Sequence, residues 1–199
     1  MVESGNRGRE YIYMIDLSKT TQGKLDQINA DLVSEPFVIK ISDITEDEKN
    51  IQQPILIHWY GGAGKPFKPC LTMRRVLSDI SVWGKDGLAY KDRYLKLFND
   101  TKVTMGADKT GGVRISHLSN LDRETTIMVK SKRGKKIPYT VHPLSAIDIL
   151  KCEGEISAKK GMEAFTVWGK NLTSEQKTSL TDYIKELMVI AKNFDAKGN

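Results

Sequence analysis

A chain of 199 residues with 39% hydrophobic content can bury one core, or one core and a helical appendage. No window approaches the roughly 20 consecutive apolar residues of a membrane-spanning helix, and MVESGNRGRE has no apolar centre of the kind a secretory leader carries, so a cytoplasmic protein is expected. The net charge of +6 is unevenly placed: residues 1–60 carry −4, residues 61–143 carry +10 and residues 144–199 carry 0, so the middle of the chain is the part expected to meet a polyanion.

In chain order, residues 1–35 form an extension in which YIYMIDLSK reads as a strand and GKLDQINADLV as a helix, Leu25, Ile28 and Leu32 recurring at helical spacing. In FVIKISDI, Phe37, Ile39 and Ile41 alternate with Val38, Lys40 and Ser42 as in a strand with one better-buried face. The acidic TEDEKN after it reads as a turn, PILIHWY as another strand and GGAGKPFKP as a flexible basic turn. CLTMRRVLSDI is expected to be a short helical piece that buries Leu71 and Leu77 and offers Arg74 and Arg75. From residue 83, short apolar runs alternate with turns, and TTIMVK and IPYTVHPL flank SKRGKK as antiparallel strands flank a hairpin connection.

Five or six strands within residues 36–143 predict a small, mainly antiparallel, OB-like β-barrel, five-stranded and partly open. Residues 144–199 predict a C-terminal helical hairpin, so the fold class is α+β. Its first helix carries Leu150, Ser157, Gly161, Phe165 and Trp168 on one side, with Gly154 and Gly161 small enough for close backbone approach. Thr173 and Gln176 then make a T-x-x-Q capping pattern before Leu180, Tyr183, Ile184, Leu187, Met188 and Ala191, an apolar face at helical spacing.

The glycine-rich GGAGKPFKP invites comparison with phosphate-binding loops. With Gly64 and Lys65 as the G-K pair of G-x-x-x-x-G-K-[ST], Trp59 occupies the place of the first glycine and Pro66 that of the hydroxyl, so the loop fails as a P-loop. In the G-x-G-x-x-G pattern Phe67 replaces the third glycine. His58, His117 and His142 are isolated in sequence, and Cys70 and Cys152 supply neither a disulfide framework nor a metal quartet, so no metal or other cofactor is expected and the cysteines are expected reduced. No nucleophile elbow or acidic cluster calls for catalysis, and the chain is read as a non-enzyme.

Cations interleaved with flat side chains remain. Trp59, Tyr60, Phe67, Tyr90, Tyr94 and Tyr139 lie among Lys65, Lys68, Arg74, Arg75, Arg93, Arg114, Lys130, Lys132, Arg133, Lys135 and Lys136. A single strand needs both kinds of group, a positive groove for its backbone and faces on which its bases stack. Trp83 and Phe98 are assigned to the core. SKRGKK has three readings, a phosphate clamp, a nuclear-import signal or a solubilised turn.

The series KPFKPCLTMRRVL, VWGKDG, TKVTMGADKTGGVRISHLS and VKSKRGKKIPYTVHPL, with GMEAFTVWGKNLTSEQKTSL further on, resembles a family of phage and prophage proteins encoded with early recombination and replication genes. The resemblance covers about residues 36–190, with Thr72 where the family pattern has serine. It implies a mobile-element context in the host cytoplasm with single-stranded DNA as the target. The expected function is therefore non-catalytic nucleic-acid binding, with the C-terminal helices serving self-association or a protein partner. A protein-interaction module that modulates a host or recombination enzyme is the alternative.

Overall fold

A computed structural model describes residues 26–104, 111–130 and 135–197; YIYMIDLSK, Leu25, Lys132 and Arg133 lie outside them. The strands are β1 (Phe37–Glu46), β2 (Ile55–Trp59), β3 (Tyr94–Asn99), β4 (Val113–Leu118), β5 (Thr125–Lys130) and β6 (Lys136–Pro143). They form one six-stranded sheet in the order β2-β1-β3-β4-β6-β5. Neighbours are antiparallel except β4 and β6, which run parallel through His117–His142 and Leu118–Pro143.

The period-2 pattern of β1 is realised, with Ile39 and Ile41 fully buried. Phe37 to Lys40 pair with β3, and Ile41 to Glu46 with β2. A register break between Ile41 and Asp43 bends the strand from one partner to the other. β2 and β5 are the edges, so the six strands form an open sheet where a partly open, five-stranded barrel was expected. The physical cause lies at β2, whose free edge is taken by its own following loop: Ile57 and Phe67 exchange two backbone hydrogen bonds of 2.9 Å each. The space between the sheet edges is filled by α1 (Leu71–Leu77), which buries Met73, Val76 and Leu77. Leu71, expected inside, is 52% exposed.

The extension also departs from its expected helix. Among its described residues a 3-10 turn forms at Ala30–Leu32 in place of a helix, because the Ile28 N–H is donated to the Pro66 carbonyl (3.0 Å) and the Ala30 carbonyl accepts from the Asn99 side chain (3.1 Å). Ile28 is buried by this tether, while Leu32 faces outward.

Four helices follow, α2 (Ala146–Ala158), α3 (Met162–Asn171), α4 (Ser174–Ser179) and α5 (Thr181–Ala196), in place of a two-helix hairpin. Gly161 separates α2 from α3 with φ 99° and ψ 179°, a region that only glycine occupies without strain. There the Met162 N–H donates to Asp195 Oδ2 at 3.0 Å, and a Cβ on residue 161 would lie 2.2 Å from Asp195 Oδ1. Gly161→Ala is therefore expected to lower stability by about 1–3 kcal/mol, read as a shift of the urea unfolding midpoint at unchanged slope. Gly154 meets the expectation of close approach, lying against Leu187 and the Trp168 ring. The Thr173–Gln176 capping box forms and opens α4. Beyond it Leu180, Leu187 and Ala191 are buried in a helical core with Ala158, Phe165 and Trp168.

A polar contact joins this helical layer to the sheet. Glu153 of α2 accepts from Lys40 Nζ of β1 at 2.8 Å and from the Tyr94 hydroxyl of β3. Burial pushes the Glu153 carboxyl up, but the hydrogen bonds from Lys40 and Tyr94 outweigh it and hold the group below its ordinary 4.5. Burial opposes the charge of Lys40, yet its bond to Glu153 raises its pKa, and burial with the same bond pushes Tyr94 up to about 12. A carboxyl held below its unfolded value adds stability that is full above that value and is lost as pH falls through the folded one. Urea stability is thus expected to decline below pH 4.5, and Glu153→Gln to be less stable at neutral pH with a shallower acid decline.

Candidate nucleic-acid interface

The loop after β2 folds back over the Trp59 indole. Gly61, Ala63 and Gly64 have positive φ, Trp59 Nε1 donates to the Lys65 carbonyl (2.9 Å), and Gly62 packs so closely on the ring that a Cβ there would come within 2.8 Å of it. The loop is thus a cap on an aromatic side chain, with Lys65 fixed by its backbone. Phe67 continues into the core at 1% exposure, and Lys68 reaches Asp26 at 2.9 Å.

α1 then carries Arg74 and Arg75, both half-buried. Arg74 donates to the Gln52 carbonyl (2.8 Å) and lines a largely apolar groove with Ile44, Ile55 and Leu71. Arg75 donates to the Lys130 carbonyl at the end of β5 (2.8 Å). Arg114, at the start of β4, places Nη1 3.1 Å from the Cys70 sulfur and Nε 3.9 Å from Asp100.

Arg75, Arg114, Lys130 and Lys102 surround a cleft of about 800 Å³ whose other polar walls include Gln52, Gln53 and Thr72. Among the described residues that line it, Asp100 is the one carboxylate. A second cleft of about 420 Å³ shares Gln53, Cys70, Val103, Gly111 and Arg114 with it and extends to Lys68. Lys102 escaped the sequence reading because it stands in a polar turn without an aromatic neighbour, and only the pairing of β3 with β4 brings it beside Arg114.

The aromatics expected as stacking platforms are used elsewhere, and two of them are corrected to core. Phe67 is buried under the sheet. Tyr90 is buried with its hydroxyl donated to the Leu77 and Gly84 carbonyls. Arg93 lies over the rings of Trp83 (5.3 Å) and Tyr90 (5.9 Å), away from the cleft residues. Trp83 is buried as expected, whereas Phe98 is half-buried. Tyr139 donates to the Ile115 carbonyl (2.7 Å), packs on the core, and is pushed up to about 12 by burial. Tyr60 and Tyr94 flank Lys40 at the sheet–helix contact, each ring 5.5 Å from its ammonium, and Lys160 covers Tyr60 at 5.8 Å. Lys135 and Lys136 are exposed at the end of the β5–β6 hairpin where the two strands are connected.

Two of the three isolated histidines are gathered by the fold. His117 and His142 sit opposite each other in the parallel pair with ring centroids 5.2 Å apart, and Glu124 lies 2.9 Å from His142 Nδ1. Among the described residues, no three His, Cys, Asp or Glu side chains are placed to hold a metal ion. Nor, among them, is any helix long and apolar enough to cross a membrane. Comparison with protein-family models, curated proteins and solved structures found no match.

Proposed function

We propose that this chain is a non-catalytic nucleic-acid-binding protein that holds single-stranded DNA in the paired clefts, acting in the replication or recombination of a phage or other mobile element within the host cytoplasm. The observation that supports the reading is the larger cleft, where, among the described residues, four cations from separate chain segments face one carboxylate. Such a cleft neutralises phosphates and releases their counterions. A space of this volume takes an unstacked nucleotide rather than a duplex, and Gln52, Gln53 and Thr72 offer donors and acceptors to a base edge. With the tyrosines occupied elsewhere, the guanidinium planes of Arg75 and Arg114 are the surfaces on which bases would stack. On this reading the open sheet serves as an OB-like platform. Fluorescence anisotropy of a labelled oligonucleotide tests it: affinity should fall steeply as salt rises, and absent or salt-independent binding would sink the idea.

A second reading, a protein-interaction module, draws support from Val167 of α3 and Val189 and Ile190 of α5, which are 56%, 58% and 41% exposed. Light scattering of nuclease-treated protein examines its self-association form. A concentration-dependent dimer supports that form, and a monomer throughout removes it.

A further inference from the structure

We infer that the β5–β6 ribbon is a second nucleic-acid surface, one that lies on duplex DNA next to the cleft, so that the preferred ligand is a junction between single-stranded and double-stranded DNA. This rests on the cleft reading above. The ribbon runs through six cross-strand pairs, Thr125–Val141 to Lys130–Lys136, yet β6 joins β4 only at His142 and Pro143, so the outer part of the ribbon is two-stranded.

Its inner face is closed over most of its length, with Ile127, Val129 and Val141 buried in the sheet core, and opens at Ile137, which is 41% exposed at the outer end. Its outer face carries three directly opposed pairs: Thr126 with Thr140, their hydroxyls 2.9 Å apart, Met128 with Pro138, and Lys130 with Lys136. Met128 is 54% exposed at the centre of this face. At its outer end the described residues Lys130, Lys135 and Lys136 are all exposed cations. A two-stranded ribbon has the width that the major groove of B-DNA admits, and its charge complements the phosphates on either side. Continuity between the two surfaces comes from Lys130, which ends the ribbon, lines the cleft and is held by Arg75 through its carbonyl. A strand leaving the cleft past Lys130 would enter its duplex along the ribbon.

The experiment compares three labelled probes: a single strand of about a dozen nucleotides, a blunt duplex of about two helical turns, and that duplex carrying that strand as a tail. Joining two sites on one ligand should make the tailed duplex bind about tenfold or more tighter than the strand alone. Lys135→Glu with Lys136→Glu, exposed positions outside the cleft lining, should abolish that gain; Lys136 stands opposite Lys130 of the cleft, so the strand alone should also weaken, but by clearly less than the tailed duplex does. Met128→Glu, which changes the same face from its centre, should do likewise. A tailed duplex bound no tighter than the strand, or variants that weaken both probes equally, would overturn the inference and leave the cleft reading standing. Binding to none of the probes would overturn both.

Discussion

Replacing Arg75 and Arg114 together by Gln is expected to weaken single-strand binding about a hundredfold, since a hydrogen bond to a charged group contributes roughly 1.5 kcal/mol or more. The slope of log affinity against log salt should become shallower by about 1.4, because each phosphate neutralised on a single strand contributes about 0.7. Glutamine is chosen because it removes the charge at each position while keeping a polar donor of intermediate length. Arg93→Gln is the matched control. It removes the same charge from a guanidinium that lies over Trp83 and Tyr90 and outside the cleft lining, so its affinity should stay near that of the parent. Equal losses from the two sites would mean that net charge alone drives binding and would remove the cleft from the account.

Phe67→Ala should act on the other axis, costing about 3–5 kcal/mol of stability while the folded fraction binds DNA unchanged. The ring is 1% exposed, and the backbone on either side of it is bonded to Ile57, so the chain cannot collapse freely into the void. Against a total stability of about 5–15 kcal/mol this is a severe loss. A stacking platform would behave in the opposite way, losing roughly 1–3 kcal/mol of binding with little change in unfolding. Urea titration alongside anisotropy separates the cases.

Local periodicity carried much of the fold. The alternation of Phe37, Ile39 and Ile41, the two runs flanking SKRGKK and the face from Leu180 to Ala191 each depend on residues within one element, and the strands and helix they predict are present. The order of the strands was not legible, because it depends on the Phe67 segment capping β2 and on α1 filling the gap, contacts that leave no periodic trace. The candidate site divides in the same way. Basic residues were visible one by one, but the cleft exists only because Arg75 meets Lys130, 55 positions away, and Arg114 meets Cys70, 44 away. Aromatics misled because Tyr94 is engaged by Glu153, 59 residues further on, and nothing near Tyr94 announces it. Gly161 did carry a signal: a glycine inside a helical pattern can mark a break as well as a close contact, and its φ decides for the break.

β1 has a consequence for how the molecule opens. The strand gives one half to β3 and the other to β2, while its Val38 carbonyl lies 3.6 Å from the Cys152 thiol of α2. Loss of any one neighbour leaves it held by the others. The amide protons of its buried centre, that of Ile41 donated to the Arg93 carbonyl among them, should therefore trade with deuterium only when sheet and helices come apart together. Their exchange rates would report the free energy of global unfolding, while the outer ribbon and the C-terminal turn of α5 exchange through smaller openings.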